Sequence, residues 1–447
     1  MRREVLYGVT GSLALLWLWH VWPDAGKGGR GSTGVLRRAA AASPSERPAR
    51  RRADPAPTLE SLLHTHLGLC GTEVPPARGA APQLPDELRA LTQGRVTPEQ
   101  LATIEGDFGL ELPSSPGQLA QAALLHRVEI ERQAAEPLGQ EHASEAWVDR
   151  VDQLQELGRR QEALEVARRA FARWPEMNTA LRLADVLEET GQPGEAKRVL
   201  QAERARTSDA KDRAWSDAQL GFVCATRGDP ACAARAVQSL DESGANPHLA
   251  TFTRAVQQTF LGRFDEARAA YEQSLALERD PVAMSNLGEV EICAGRIAEG
   301  RAMYLEALAR TPRLEVTTSA LSGLAYASLR EGEIVPAWLF GAAALAGAGD
   351  GAEASQPRGV LALAALVGGD LAEARRQARL AHEADPNDDL VRRRCFADAV
   401  DTAATRALAA EAKGDRDSAV EAWLTVARSG HQTLSVAARR ALGEICR

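Results

Sequence analysis

Six cysteines, a His-Thr-His triplet and one glycine-rich basic loop are the parts of this sequence whose residue types could do chemistry. The cysteines stand at 70, 224, 232, 293, 395 and 446, with no C-x-x-C pair among them. That spacing supports neither a zinc ribbon nor a thioredoxin-type redox motif, and six in 447 residues is too dilute for a disulfide scaffold. His64 and His66 are two apart, so on a helix they point away from each other, and no carboxylate or thiol cluster joins them. "GKGGRGSTG" (26–34) superficially resembles a phosphate loop, but lacks the Gly-Lys-Ser/Thr ending and a preceding strand. No nucleophile elbow, zincin motif or kinase-like set occurs. Carboxylates are abundant, as they are on any solvated helix face. The expectation is a protein that is not an enzyme and needs neither cofactor nor metal.

The elements that would position side chains are helices. Ala, Leu, Glu and Arg dominate, β-branched residues are thin after position 60, and aromatics make up 4 % of the chain. Net charge is −8, but residues 1–56 carry ten basic against four acidic groups, leaving the remainder at −14. An acidic body repels phosphate backbones, which excludes nucleic acid as a partner of the folded part. Only four of the 53 basic residues are Lys, a usage that suggests a GC-rich bacterial genome.

Val5 to Trp22 is an 18-residue run without a formal charge, just long enough to span a bilayer core. Trp17, Trp19 and Trp22 gather at its end, where indoles favour the headgroup boundary. No small-residue cleavage pair follows directly, so an uncleaved signal anchor over 1–22 is expected, with a removed export signal as the alternative. Met1-Arg2-Arg3 favours an amino terminus in the cytoplasm and an extracytoplasmic body, although Lys27, Arg30, Arg37 and Arg38 pull the other way. Residues 23–56 read as a basic Pro/Gly/Arg-rich linker, too poor in apolar surface to order itself and suited to anionic headgroups.

Beyond the linker the chain repeats itself. A glycine followed five residues on by a small residue occurs at Gly158/Ala163, Gly191/Ala196, Gly228/Ala233, Gly262/Ala267, Gly295/Gly300, Gly332/Ala337, Gly369/Ala374 and Gly414/Ala419. The steps between glycines are 33, 37, 34, 33, 37, 37 and 45 residues. Each glycine lies between two helix-period stretches, and Pro175, Pro247, Pro281, Pro312 and Pro386 often close the unit. The stretch "LGEVEICAGRIAEGRAMYLEALARTP" (287–312), with Leu287-Gly288, Gly295, Gly300, Tyr304, Ala307 and Pro312, resembles the tetratricopeptide repeat family. "GRFDEARAAYEQSLALERDP" (262–281) follows the same pattern, and Trp147 stands where the family's tryptophan does. Gly341 departs from it by replacing the second-helix aromatic.

The resemblance implies an all-α, right-handed superhelical solenoid of about eight helical hairpins over 144–430. Residues 57–143 would form a helical cap or divergent repeats, and 431–447 a final capping helix. Capping boxes with Pro just inside the helix are expected at Thr97–Gln100 and Ser115–Gln118, the second opening a helix over about 116–135.

In this family the first helix of each hairpin lines a concave groove. Carried over residue by residue, that implies a peptide groove of Trp215, Phe222, Phe252, Val256, Phe260, Glu289, Ile292, Tyr326, Leu363 and Leu366. Its acidic mouth would comprise Glu145, Asp152, Glu156, Asp185, Glu188 and Glu189. The alternative is that these side chains pack between neighbouring repeats or against the cap. The family's carboxylate clamp needs Lys, Arg and Asn where this chain has Ala218, Phe252, Ser285 and Ser322, so that mechanism is not expected. Cys224 and Cys232 lie four residues either side of Gly228, and an antiparallel hairpin would bring them together. They form a candidate disulfide if the body is extracytoplasmic; otherwise they are two small buried apolar residues. Cys293 has no predicted partner.

Three functional readings follow. One is a membrane-anchored scaffold or assembly factor in the bacterial inner membrane, holding a partner protein or peptide in its groove. Another is a self-assembling homo-oligomer whose groove is filled by its own cap. The third is an exported soluble protein with an unrecognised enzymatic region in 57–143.

Overall fold

The eight glycines expected to turn the chain all adopt the left-handed backbone. Gly158, Gly191, Gly228, Gly262, Gly295, Gly332, Gly369 and Gly414 have φ between 68° and 81°, a region that strains residues bearing a Cβ. A computed structural model describes residues 84–445 apart from 111, 113, 140, 141, 350, 386–398 and 430. The expected anchor, linker and His64/His66 lie outside the described residues. No helix among the described residues is long and apolar enough to cross a membrane.

Every regular element assigned in the described residues is helical. Three helices come first: α1 (Asp86–Leu91), α2 (Pro98–Asp107) and α3 (Pro116–Ala134). Eight hairpins follow. The first four pair α4 (Ser144–Glu156) with α5 (Arg160–Arg173), α6 (Met177–Glu189) with α7 (Pro193–Arg206), α8 (Ala210–Thr226) with α9 (Pro230–Ser243), and α10 (Pro247–Phe260) with α11 (Phe264–Leu277). The last four pair α12 (Pro281–Cys293) with α13 (Ile297–Arg310), α14 (Leu314–Arg330) with α15 (Ile334–Ala348), α16 (Ser355–Val367) with α17 (Leu371–Ala384), and α18 (Ala399–Lys413) with α19 (Arg416–Arg428). A short 3₁₀ turn, Ala352–Ala354, precedes α16, and α20 (Gln432–Ile445) packs on α19 and α16.

The caps explain where the first helices start. Thr97 makes the full capping box with Gln100. Ser115 accepts from the Gln118 amide without the reciprocal bond, and its hydroxyl donates to Glu105 at 2.6 Å.

The small residue five beyond each turn glycine is buried in all eight hairpins, and it lets the second helix lie close against the first. The tightest approach surrounds Tyr304. A Cβ on Gly288 would lie 3.1 Å from its ring, and one on Gly323 would lie 2.2 Å from its Cζ. Gly323→Val is therefore expected to overpack the α13–α14 contact and cost roughly 2–3 kcal/mol in urea unfolding. Gly106→Ala, a helical position with nothing within 4 Å, should be neutral or stabilising, which makes it the control. Where Gly341 replaces the expected aromatic, Leu361 of α16 fills the space, 3.0 Å from where a Cβ would stand.

Burial divides the helices by position. In α6 twelve of thirteen residues are buried and in α14 fifteen of seventeen, whereas in α13 only three of fourteen are. First helices from α6 to α16 thus lie inside, and second helices face water on their outer side. The exception is α15, with twelve of fifteen residues buried. Its sequence, IVPAWLFGAAALAGA, is apolar on every face, and α1, α2 and α3 cover the side that other second helices expose. Leu84, Leu88 and Leu101 share a core with Trp338, Phe340 and Leu361.

Candidate functional site

The array curls until its first hairpin meets its sixth and seventh. Gly158, at the first turn, lies so near the 3₁₀ segment that its Cβ would be 3.2 Å from the Ala352 nitrogen. Helix α3 fills the gap between α4 and the α14–α15 hairpin. There Arg127 donates to the Gly347 and Ala348 carbonyls at 3.2 and 2.7 Å, covering acceptors at the end of α15.

Packing between neighbouring hairpins, the alternative reading of these side chains, accounts for the residues expected in an open groove. Of the ten residues assigned to it, Phe222, Phe252, Val256, Phe260, Ile292, Tyr326, Leu363 and Leu366 are buried among neighbouring helices. Phe252 meets Tyr271 of α11 edge-on at 5.9 Å, as a core aromatic pair does. Trp215 and Glu289 are half-buried. None of the aromatics stands free as an anchor for a peptide.

The acidic set divides as well. Glu145 is exposed, while Asp185, Glu188 and Glu189 are buried and Asp152 and Glu156 half-buried. Glu156 and Glu189 meet Glu315, Glu353 and Asp385 from the far side of the curl through Arg313 and Arg160, Asp152 and Asp185 share Arg182, and the His126 ring lies on Glu156. Arg160 is the hub. Its guanidinium is 2.6 Å from Asp385, 3.2 Å from Glu353 and 4.0 Å from Glu189. Glu156 forms a second node, 3.1 Å from the His126 ring and 3.7 Å from Arg313, and it also accepts from the Leu314 amide.

Carboxylates outnumber cations here, and burial decides their protonation. Glu188 has a hydrogen bond from Thr226 at 2.8 Å, yet burial pushes its carboxyl up to about 8. Glu189 also rises to about 8, because burial outweighs Arg160 and the Gln155 amide. Asp185 rises to about 7 against the pull of Arg182 and Gln219. Burial drives Glu315 well above the usual range, since Arg313 at 3.8 Å opposes it only weakly. Burial works to raise Glu156 too, but the His126 bond, Arg313 and the Leu314 amide together hold it below its ordinary value.

Sequence reasoning misses Glu315, Glu353, Asp385 and the arginines. One signal is available: Glu315 is the only charged residue in the run 314–329.

Cys224 and Cys232 are joined in a disulfide across the α8–α9 turn, with Cα atoms 5.6 Å apart. Cys293, for which the sequence offers no partner, is disulfide-bonded as well. The cysteines besides these three, Cys70, Cys395 and Cys446, lie outside the described residues.

With the interior closed, open apolar surface is found on α3. Leu125 and Val128 are 60 % and 55 % exposed, more than the other exposed large hydrophobics apart from Leu277. A cleft of about 270 Å³ on another face of α3 is lined by Leu119 and Ala122 and by Leu308, Arg310 and Pro312 at the end of α13.

Residues 258–281 match the tetratricopeptide repeat model. That segment joins the end of α10 to α11, so one hairpin of the array is a tetratricopeptide repeat. Among solved structures, a thermophilic tetratricopeptide repeat protein from Thermus thermophilus is similar at 24 % identity and a TM-score of 0.36, covering 41 % of this chain and 99 % of that one. PilW, described as a widely conserved type IV pilus biogenesis factor, is similar at 19 % identity and a TM-score of 0.36, covering 50 % and 98 %. The Cut9–Hcn1 hetero-tetramer of the APC/C is similar at 16 % identity and a TM-score of 0.43, covering 73 % and 62 %. No curated protein matches the sequence.

Proposed function

We propose that the protein is a non-enzymatic scaffold that holds a partner protein on its outer surface. Its amino-terminal segment would tether it to a bacterial membrane with the helical body outside the cytoplasm. The observation that carries the binding reading is the exposure of Leu125 and Val128, one turn apart on α3. Single exposed apolar residues are ordinary, but two large ones adjacent on one helix form a ridge suited to a partner. The uncharged run Val5–Trp22 supports the tether, and the bonded cysteines support an oxidising compartment.

A second reading is self-assembly through the same ridge. It is favoured by the filled interior, which leaves the outer face as the place where a second copy could dock. One pair of measurements separates the two. Leu125→Asp with Val128→Asp, in the full-length chain extracted from its own membranes, should lower cross-linked partner yield at least tenfold and leave the melting temperature within about 2 °C. Light scattering on the unmodified chain would instead show a dimer, lost in the double variant, if the ridge joins two copies. Unchanged cross-linking together with an unchanged mass would refute both.

A further inference from the structure

The turn of the third hairpin gathers three groups of metal-ligating type, two of which its disulfide keeps from acting as such. The Cys224 and Cys232 sulfurs and a carboxylate oxygen of Asp229 lie within 4.8 Å of one another, and they are the one set of three or more such groups this close among the described residues. We infer that, when the disulfide is reduced, Cys224, Asp229 and Cys232 hold a thiophilic divalent cation such as Zn²⁺.

The hairpin sets this geometry. Cys224 ends an inner helix and is buried, while Cys232 occupies the first turn of α9, with Gly228 reversing the chain between them. Asp229 is the N-cap of α9. One of its oxygens accepts from the Cys232 amide at 2.9 Å, and the exposed carboxylate keeps its second oxygen for a ligand role. Zinc takes thiolates at about 2.3 Å and carboxylates at about 2.0–2.2 Å, so two bound sulfurs stand roughly 3.8 Å apart. Rotation of the two cysteine side chains supplies that separation, and water can fill the fourth position from the exposed side.

Charge favours the same assignment. Two thiolates, one carboxylate and a dication leave the site at −1. The Lys197 ammonium, 3.7 Å from the Cys232 sulfur, offsets it. The chemistry balances simply. A phosphine with one water converts the disulfide to two thiols and itself to the phosphine oxide, and metal binding then releases the two thiol protons to solvent.

The test uses the full chain, reduced with a phosphine and titrated with Co²⁺ and Zn²⁺. The reduced protein should take up one equivalent at this site, with sulfur-to-cobalt charge-transfer absorption and tetrahedral d–d bands that Zn²⁺ displaces. Cys224→Ser/Cys232→Ser, which keeps the remaining cysteines, should lose that equivalent and those bands. Asp229→Asn keeps an N-cap but is a poor ligand, and should weaken binding at least tenfold. The oxidised chain should bind none here. Uptake by the reduced chain no greater than by the double serine variant would overturn the site, and so would an unchanged affinity in Asp229→Asn.

Discussion

Arg160→Ala is expected to destabilise the protein by about 3–5 kcal/mol at pH 8.5, because it leaves Glu189, Glu353 and Asp385 buried around a missing cation. At pH 5.5 the loss should be distinctly smaller, since orphaned carboxyls in that setting take up protons instead of standing as bare charges. This pH dependence separates an electrostatic hub from a packing contact, whose loss would be the same at both pH values. Arg160→Lys should fall between, because an ammonium supplies the charge but not the fork that reaches several carboxylates at once. The contact joins residues 225 positions apart in the chain, so small-angle scattering should also show the variant expanding as the curl opens. Urea unfolding at the two pH values is the measurement. A loss below about 1 kcal/mol, or equal losses at both, would show that the ends are held by something else.

The hairpins are legible residue by residue, while the curl is not. A positive-φ glycine followed by a small contact residue is a local requirement, and local requirements leave marks at fixed spacing. That is why Gly158 through Gly414 align by eye. How far eight hairpins bend is the sum of small rotations between neighbours, and no single residue encodes it. The groove assignment fails for a more local reason. Phe222, Phe252 and Phe260 turn into the packing within and between consecutive hairpins, sharing one core with Tyr271, Met284 and Val316. Covering by the amino-terminal helices leaves one readable trace. Helix α15 is apolar all round, and such a helix needs cover on every side. Trp338 and Phe340 of α15 find that cover under α1 and α2, whose Leu88 and Leu101 reach across to them.

The acidic residues show the same limit from the other direction. Asp185, Glu188 and Glu189 read as one side of a solvated mouth when their helix alone is considered. Across the curl lie Glu315 and Glu353, and the two sides together remove each other's water. A feature that looks like attraction for a basic peptide becomes, once enclosed, a store of protons.

That store predicts the wild-type pH dependence, including its sign. Glu188 is raised from the usual range to about 8 by burial, with a Thr226 hydrogen bond and, on the same side, the half-buried Arg227 opposing it and Asp185 adding to it. The unfolded chain loses this proton near pH 4.5, whereas the folded chain keeps it until about pH 8. Between those values the folded state binds more protons, so stability is full at the acid end and falls as pH rises, by about 1.4 kcal/mol per pH unit for each proton retained. Glu189, also raised to about 8, and Asp185, raised to about 7, slope the same way. The half-buried Glu156, held low, slopes the opposite way only at acid pH, where its carboxylate begins to protonate. Glu188→Gln should therefore match the wild type near pH 5, because glutamine resembles the protonated acid and can still accept from Thr226. At pH 8.5 it should be more stable by about 2 kcal/mol or more, and the slope between should lose about one proton. Chemical unfolding at half-unit pH steps reads both quantities. If the variant is instead less stable than wild type at pH 8.5, Glu188 is ionised in the folded protein and the closed interior is wetter than its packing implies.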